Sequence, residues 1–301
     1  MRRTEEPDER EPAAGHAGRA GQEGATVLLS VHGLAGCHRS TYVQRLAWHA
    51  IRRGWYSYRM DMRGAGSSGL QSRFLYHAGR SDDVLSVLRF IRRQHPTGRI
   101  FLCGFSLGGS IALHLLANLN RETRGLLDGA VVVCPPLDLG ACAENIRRGF
   151  NRIYDQTFAR ALWKSLQMRP NAVHQLGARM PAARPKSLVD FDHLVTAPLG
   201  GYESADHYYR LFSTDQQVHR IDVPTLALFA KDDPLIPYAI AERTTWSDST
   251  RVVATDYGGH LGFIGGCDRG PKFPTVRWLE HAVIHAIEAH LEATPLPAAP
   301  R

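Results

Sequence analysis

A mainly parallel α/β sheet, with helices on both faces and a helical insertion near the middle, is the fold class predicted by the 301-residue sequence. Three observations predict it. Short, nearly continuous apolar runs recur along the chain, which suits strands buried on both faces. Apolar residues at helical spacing lie between several of those runs, as a parallel sheet with crossover helices requires. The alternation then breaks between about 139 and 218, leaving a long segment between two core strands.

Residues 1–24 hold Glu, Arg, Gly, Ala and Pro with almost no large apolar side chain, and read as a disordered tail. One domain is expected over 25–295, followed by a short tail at 296–301. Its first strand is the run Ala25-Thr-Val-Leu-Leu-Ser-Val31. Further strands are expected at Trp55–Met62, Arg99–Cys103, Gly129–Cys134, Pro224–Ala230 and Arg251–Ala254. The clearest helix is Ser81–Gln94. Ser81 is its expected N-cap, Asp82 and Asp83 favour its first turn, and Val84, Val87, Leu88 and Ile91 share one face. Arg92 and Arg93 suit its C-terminal end, and Pro96 stops it. A last helix is expected from about Pro274, burying Val276, Leu279, Val283, Ile287 and Leu291. The insertion at about 139–218 reads as a cap. It holds a helical piece marked by Ile153, Tyr154, Phe158, Leu162 and Leu166, then Pro/Arg-rich loops, and then an aromatic cluster of Tyr202, Tyr208, Tyr209 and Phe212.

Composition narrows the function classes. Apolar residues make up 44% and charged residues 22%, which excludes a disordered, collagen-like or coiled-coil chain. The longest apolar run, around Gly129–Leu139, contains Pro135 and Pro136 and falls short of the roughly 18 residues of a spanning helix. The net charge of +7 comes mostly from scattered Arg with no run of five. That pattern reads as a solvated surface and not as a specific nucleic-acid site. The five cysteines are odd in number and form no CxxC, which fits a reduced, cytoplasmic protein. Met1-Arg2-Arg3 has no apolar stretch after it, so no export signal is expected.

The chemistry centres on Gly104-Phe105-Ser106-Leu107-Gly108. This G-x-S-x-G lies between a strand run and a good helix start, the context of a strained nucleophile turn. Ser106 is the candidate nucleophile. The loop after the first strand, His32-Gly33-Leu34, should supply one oxyanion donor and the residue after the nucleophile the other. That assigns the backbone N–H groups of Leu34 and Leu107, with His32 shaping the loop. An acid and then a histidine should follow in chain order. Asp233, before Pro-Leu-Ile-Pro, is the leading acid; Asp232 and Asp138 are the alternatives. His260, between glycines that let the imidazole swing, is the candidate base. His281, His285 and Glu288 share a helix face at metal-ligand spacing, but there is no HExxH, and no metal or organic cofactor is expected.

These motifs resemble the α/β-hydrolase superfamily, and within it the YheT-like branch that also holds the ABHD-type enzymes. The resemblance rests on His32-Gly-Leu-Ala-Gly36, Met62-Arg-Gly64, Tyr76-His77 with Asp83, Gly104-Phe-Ser-Leu-Gly-Gly109, Asn151-Arg-Ile-Tyr154, Phe191-Asp192 through Thr196-Ala-Pro198, Tyr208-Tyr209, Asp232-Asp233-Pro234 and Gly258-Gly-His260-Leu-Gly-Phe263. It spans about residues 27–290. It implies Ser106, Asp233 and His260 as the triad and carboxylic esters as substrates. Tyr76, His77 and the Phe191–Pro198 segment read as cap and loop packing. Relatives carry an antiparallel strand pair before the first parallel strand, and here the polar tail occupies those positions, so that pair is expected to be missing.

The expected function is hydrolysis of a short- to medium-chain or lipid-like ester through an acyl-enzyme. An acyltransferase using the same residues is one alternative; a non-catalytic ligand-binding protein of this fold is another. Aromatics of the insertion (Phe158, Trp163, Tyr208, Phe212) either form an apolar acyl pocket or pack the cap. Arg147, Arg148, Arg152 and Arg160 either meet an anionic lipid head group or form a solvated helix face. The sequence does not give the oligomeric state.

Overall fold

The computed structural model describes residues 14–15, 24–69, 72, 74–118, 125–264 and 277–293. The strands are β1 (Ala14–Gly15), β2 (Thr26–Val31), β3 (Tyr56–Met60), β4 (Arg99–Phe105), β5 (Gly129–Val133), β6 (Thr225–Ala230) and β7 (Thr250–Thr255). They form one sheet in the order β1-β3-β2-β4-β5-β6-β7, and β2 to β7 are all parallel. The central strands earn their place by burial. All seven residues of β4 are buried, and Val27, Leu28, Leu29 and Val31 of β2 are fully enclosed.

Helices α1 (Thr41–Ile51), α2 (Ser81–Gln94) and α3 (Leu107–Asn118) cross over between the first strands. The α2 bounds match the expected ones, and Val84, Val87, Leu88 and Ile91 are buried. Its cap differs. Arg80 occupies the N-cap position without a side-chain bond, because the Ser81 hydroxyl pairs with His114 Nδ1 at 3.1 Å. The final helix, here Trp278–Ala293, buries Leu279, Val283, Ile284 and Ile287 and packs on α1. Pro274 and Val276 lie outside the described residues, as do most of 1–24 and all of 296–301.

Of the antiparallel strand pair expected to be missing, the described residues hold no hairpin. One strand is present in a two-residue form: Ala14 and Gly15 pair antiparallel with Met60 and Arg59. The outer edge of β3 offers unpaired backbone groups, and small residues can dock there without apolar side chains.

Between β5 and β6 the chain forms α4 (Leu139–Ile146), α5 (Arg152–Gln167), α6 (Pro170–Leu176), a helical stretch from Leu188 to Gly200 with a π-turn at Asp192–Thr196, and α7 (Ala205–Phe212). The expected helical piece is α5, and its buried stripe is only partly apolar. Asp155, Ala159, Leu162 and Leu166 face inward, while Ile153 and Tyr154 are exposed. Asp155 is drawn inward because its Oδ1 accepts the Leu188 N–H at 2.6 Å. No helix among the described residues is long and apolar enough to cross a membrane.

The topology places the site. The chain runs from β2 outward to β3, then returns to the other side of β2 as β4. Ligands of open parallel sheets bind at such a reversal, beyond the C-terminal strand ends. The loops after β2 and β4 carry Leu34 and Ser106, and Val31 pairs with Gly104 across that boundary.

Candidate active site

Ser106 sits between β4 and α3 with φ +50°, a left-handed conformation costly for a side-chain-bearing residue. Its N–H donates to Val133 O at 2.8 Å, and its own C=O accepts from Gly109 and Ser110 at 2.8 and 3.1 Å. The flanking glycines are dictated by space. A Cβ at Gly104 would lie 2.5 Å from Gly108 O, and one at Gly108 would lie 2.5 Å from His32 O. Those contacts are backbone and cannot swing away.

The His260 ring joins two of the expected partners. Its Nε2 lies 2.9 Å from Ser106 Oγ and its Nδ1 lies 2.8 Å from Asp233 Oδ2. The Asp233 side chain is 1% exposed, and its Oδ1 accepts the N–H groups of Leu235 (2.8 Å) and Ile236 (3.1 Å). These fixed donors set the orientation of the carboxyl group. Of the competing acids, Asp232 accepts the N–H groups of Gly258 and Gly259, both at 2.8 Å. It therefore holds the histidine loop. Asp138 caps α4 by accepting from Ala141 N–H at 2.9 Å. The glycines before His260 act as donors that pin the loop. Beneath the triplet, the buried Cys134 brings its Sγ within 4.8 Å of the polar atoms of Asp233 and His260.

The proposed oxyanion donors have a clear local cause. Gly33 N–H donates to Tyr42 Oη at 3.0 Å, Ala35 N–H to Tyr76 Oη at 2.6 Å, and Gly36 N–H to Gly33 O at 3.1 Å. Leu34 N–H, between them, donates to no protein acceptor among the described residues. Leu107 N–H, at the first position of α3, is likewise uncommitted, as helix starts leave it. His32 is indeed the loop shaper. Its Nε2 accepts from Met62 N–H at 3.1 Å, so the proton sits on Nδ1, which reaches Gly33 O at 2.8 Å. Burial pushes its pKa down and keeps it neutral.

Tyr42 carries no such signal in the sequence, whereas Tyr76, read there as cap and loop packing, holds the loop through its hydroxyl. Tyr76→Phe is expected to lower kcat by about ten- to thirtyfold, less than loss of a donor itself, with KM changed little. Steady-state kinetics on a soluble ester checks this; an unchanged kcat would leave Tyr76 a packing residue.

A cavity opens onto Ser106, Leu107, His260 and Leu34. Leu139, Ile146, Phe158, Leu162, Leu235 and Ile236 give it an apolar wall. Another part of the wall is polar, from His77, Asp192, Thr196 and Tyr209. His77 Nδ1 accepts from Gly79 N–H at 3.1 Å, which leaves the proton on a buried Nε2 without a partner among the described residues. Burial pushes the His77 pKa down to about 3, so the ring is neutral. Of the aromatics expected to line a pocket, Phe158 and Tyr208 do so; Phe212 packs beside His77 and His114.

Asp192 accepts from Thr196 Oγ1 at 2.6 Å and Tyr209 Oη at 2.8 Å, and burial pushes its pKa up to about 6. The folded protein thus holds this proton where the unfolded chain releases it. Stability contributed by Asp192 is full below the ordinary carboxyl range and is lost as pH rises toward 6, on the order of 3 kcal/mol in all. Asp192→Asn is expected to gain stability relative to the parent between pH 4 and pH 7. Urea melts of both proteins at the two pH values measure this, and parallel pH curves would contradict it.

The helix face that carries His281, His285 and Glu288 makes other contacts. Glu288 is held by Arg53, and His281 packs against the His49 ring at 4.6 Å. A second Cys/His/Asp group joins the half-buried Cys37 and His38 of the loop after β2 to the buried Asp61, which directly follows β3. There the carboxylate already accepts from His38 N, His38 Nδ1 and both Ser67 donors.

The model of the serine aminopeptidase S33 family, an α/β-hydrolase family, matches residues 22–249. The chain belongs to that family. Within it, the relatives are of the YheT and ABHD type. "Putative esterase YheT" of Escherichia coli (strain K12) is 32% identical over 276 residues, covering 88% of this chain and 77% of the relative. The mouse "Phospholipase ABHD3" is 25% identical over 244 residues, covering 80% of this chain. The chain matches 59% of the length of that mouse protein. The fold is shared with Est1E of Butyrivibrio proteoclasticus, solved with ferulic acid bound, at a TM-score of 0.57 and 14% identity over 93% of this chain and 95% of that one. The hydrolase's membership carries the fold and the class of enzyme; the substrate depends on the lining of its own cavity.

Proposed function

We propose that the protein hydrolyses carboxylic esters through an acyl-enzyme on Ser106. The observation that carries this is the continuous chain Asp233–His260–Ser106 at hydrogen-bond distances beside two uncommitted backbone N–H groups. His260 Nε2 takes the hydroxyl proton as Ser106 Oγ bonds the ester carbonyl carbon. The negative oxygen that forms accepts from the N–H groups of Leu34 and Leu107. Collapse expels the alcohol, which leaves with the proton from His260. Water then gives a proton to His260 and attacks the acyl carbon, and the acid is released as His260 returns that proton to Ser106 Oγ. Asp233 holds Nδ1–H and stabilises the imidazolium. His260 must be neutral to begin the cycle, so activity should fall in acid.

The cavity supports a short- to medium-chain acyl group. It has a volume of about 110 Å³ beside Ser106, bounded by the apolar wall. The buried N–H of His77 and the carboxyl of Asp192 support an ester carrying further oxygen or hydroxyl groups. The esterase and phospholipase names of the relatives agree with an ester substrate.

The test is a series of p-nitrophenyl esters of increasing acyl length, given to the wild type and Ser106→Ala. Turnover by the wild type alone is expected, best with the shorter chains. If no ester turns over while a fluorophosphonate still labels Ser106, the nucleophile is live and the ester assignment fails. Absence of both removes the catalytic reading. Added alcohols separate hydrolysis from acyl transfer, because a transferase yields a new ester.

A further inference from the structure

The turn between α4 and α5 exposes apolar side chains that no internal contact explains. Phe150 is 92% exposed, Ile153 67% and Tyr154 46%. They are concentrated in five residues, whereas isolated exposed apolar residues are ordinary on any protein surface. Arg147, Arg148, Arg152 and Arg160 around them are exposed too. Glu144, paired with Arg147 at 3.2 Å, is the one exposed acid over 144–160; Asp155 is buried.

The turn is also held in place. Gly149 adopts φ +50°, and Asn151 Nδ2 donates to Pro234 O at 2.6 Å. A pinned turn presents Phe150 outward by construction. The helices on either side face the substrate cavity with their other surfaces, through Ala143 and Ile146 of α4 and Phe158 and Leu162 of α5.

We infer that the turn at 147–154 docks the protein on an anionic lipid surface, with Phe150 and Ile153 entering the apolar boundary and the arginines meeting acidic head groups. Aromatic and aliphatic side chains ringed by arginine are the chemistry of interfacial binding. Head-group attraction is worth about fivefold in affinity per Arg, and it weakens with salt. The inference rests on the ester-hydrolase reading only in giving the surface a purpose: an ester drawn from the lipid would meet the cavity just behind the turn.

The experiment is flotation of the full chain with vesicles of phosphatidylcholine, alone or with roughly one-third phosphatidylglycerol. Binding is expected to the anionic vesicles and to fall with salt. A triple Arg147→Gln, Arg148→Gln, Arg152→Gln variant should lose about a hundredfold in affinity. Phe150→Ser with Ile153→Ser should lose at least tenfold. Both variants should hydrolyse p-nitrophenyl acetate as the parent does, since these side chains touch neither Ser106 nor its partners. Vesicle binding that is absent, or unchanged in the variants, overturns the inference. So does a dimer in sedimentation that Phe150→Ser dissociates, because a second copy would then cover the patch. Loss of hydrolysis in the parent, with vesicle binding intact, would strike the enzymatic reading alone.

Discussion

Replacing Ser106 with alanine is expected to reduce kcat by about five to six orders of magnitude while the protein stays folded. In triad hydrolases, removing the nucleophile costs about as much as removing all three residues, because they act as one unit. The structure gives a reason to expect the fold to survive. The Ser106 side chain makes one hydrogen bond, to His260 Nε2, and alanine retains the Cβ that packs against Gly33. The backbone bonds at 106 are to Val133, Gly109 and Ser110 and do not involve Oγ. Single-turnover kinetics and a thermal melt test both halves of the prediction. Substantial activity with a normal KM would mean that another nucleophile operates.

The second large effect separates two neighbouring aspartates. Asp233→Asn is expected to lower kcat by roughly ten-thousandfold. Oδ1 of Asp233 accepts two backbone N–H groups, so an asparagine must turn its oxygen toward Leu235 and Ile236. Its NH₂ then faces His260 Nδ1 and donates where Asp233 accepts. The imidazole is driven to carry its proton on Nε2, and it can no longer take one from Ser106. Asp232→Asn should cost less than about tenfold, because one amide oxygen can still accept from Gly258 and Gly259. Rates for the two variants, with near-ultraviolet dichroism to verify folding, decide the matter. If Asp232→Asn is the crippled one, the roles are reversed.

Much of this arrangement was readable before any coordinates. Buried parallel strands are short continuous apolar runs, so β2 to β7 fall within two or three residues of their expected places. Ser106 and His260 were readable because strained turns demand small neighbours, and glycine is visible in a sequence. The supports of the site were not. Tyr42 and Tyr76 serve the loop after β2 through hydroxyl-to-amide bonds, and Tyr76 reaches it from 41 residues away. Such bonds leave no periodicity. In α5, Ile153 and Tyr154 are apolar yet exposed, while Asp155 is buried and accepts the Leu188 N–H, a tertiary bond that hydropathy does not record. Asp232 and Asp233 differ only in which amides face them, which composition does not record.

Asn145 and Asn151 tie the insertion to the acid loop. Asn145 Nδ2 donates to Pro234 O at 2.8 Å and Leu235 O at 3.2 Å, and Asn151 adds its bond to Pro234. These carbonyls belong to the two residues that follow Asp233. The insertion is therefore not an interchangeable module. A graft from a relative that brought new pocket walls but no matching amides would free Pro234 and Leu235, and the Asp233 carboxylate would lose its register with the ring. Anyone recombining such enzymes to change what they cleave would have to carry both asparagines across the junction, or accept a new pocket above a slackened catalytic acid.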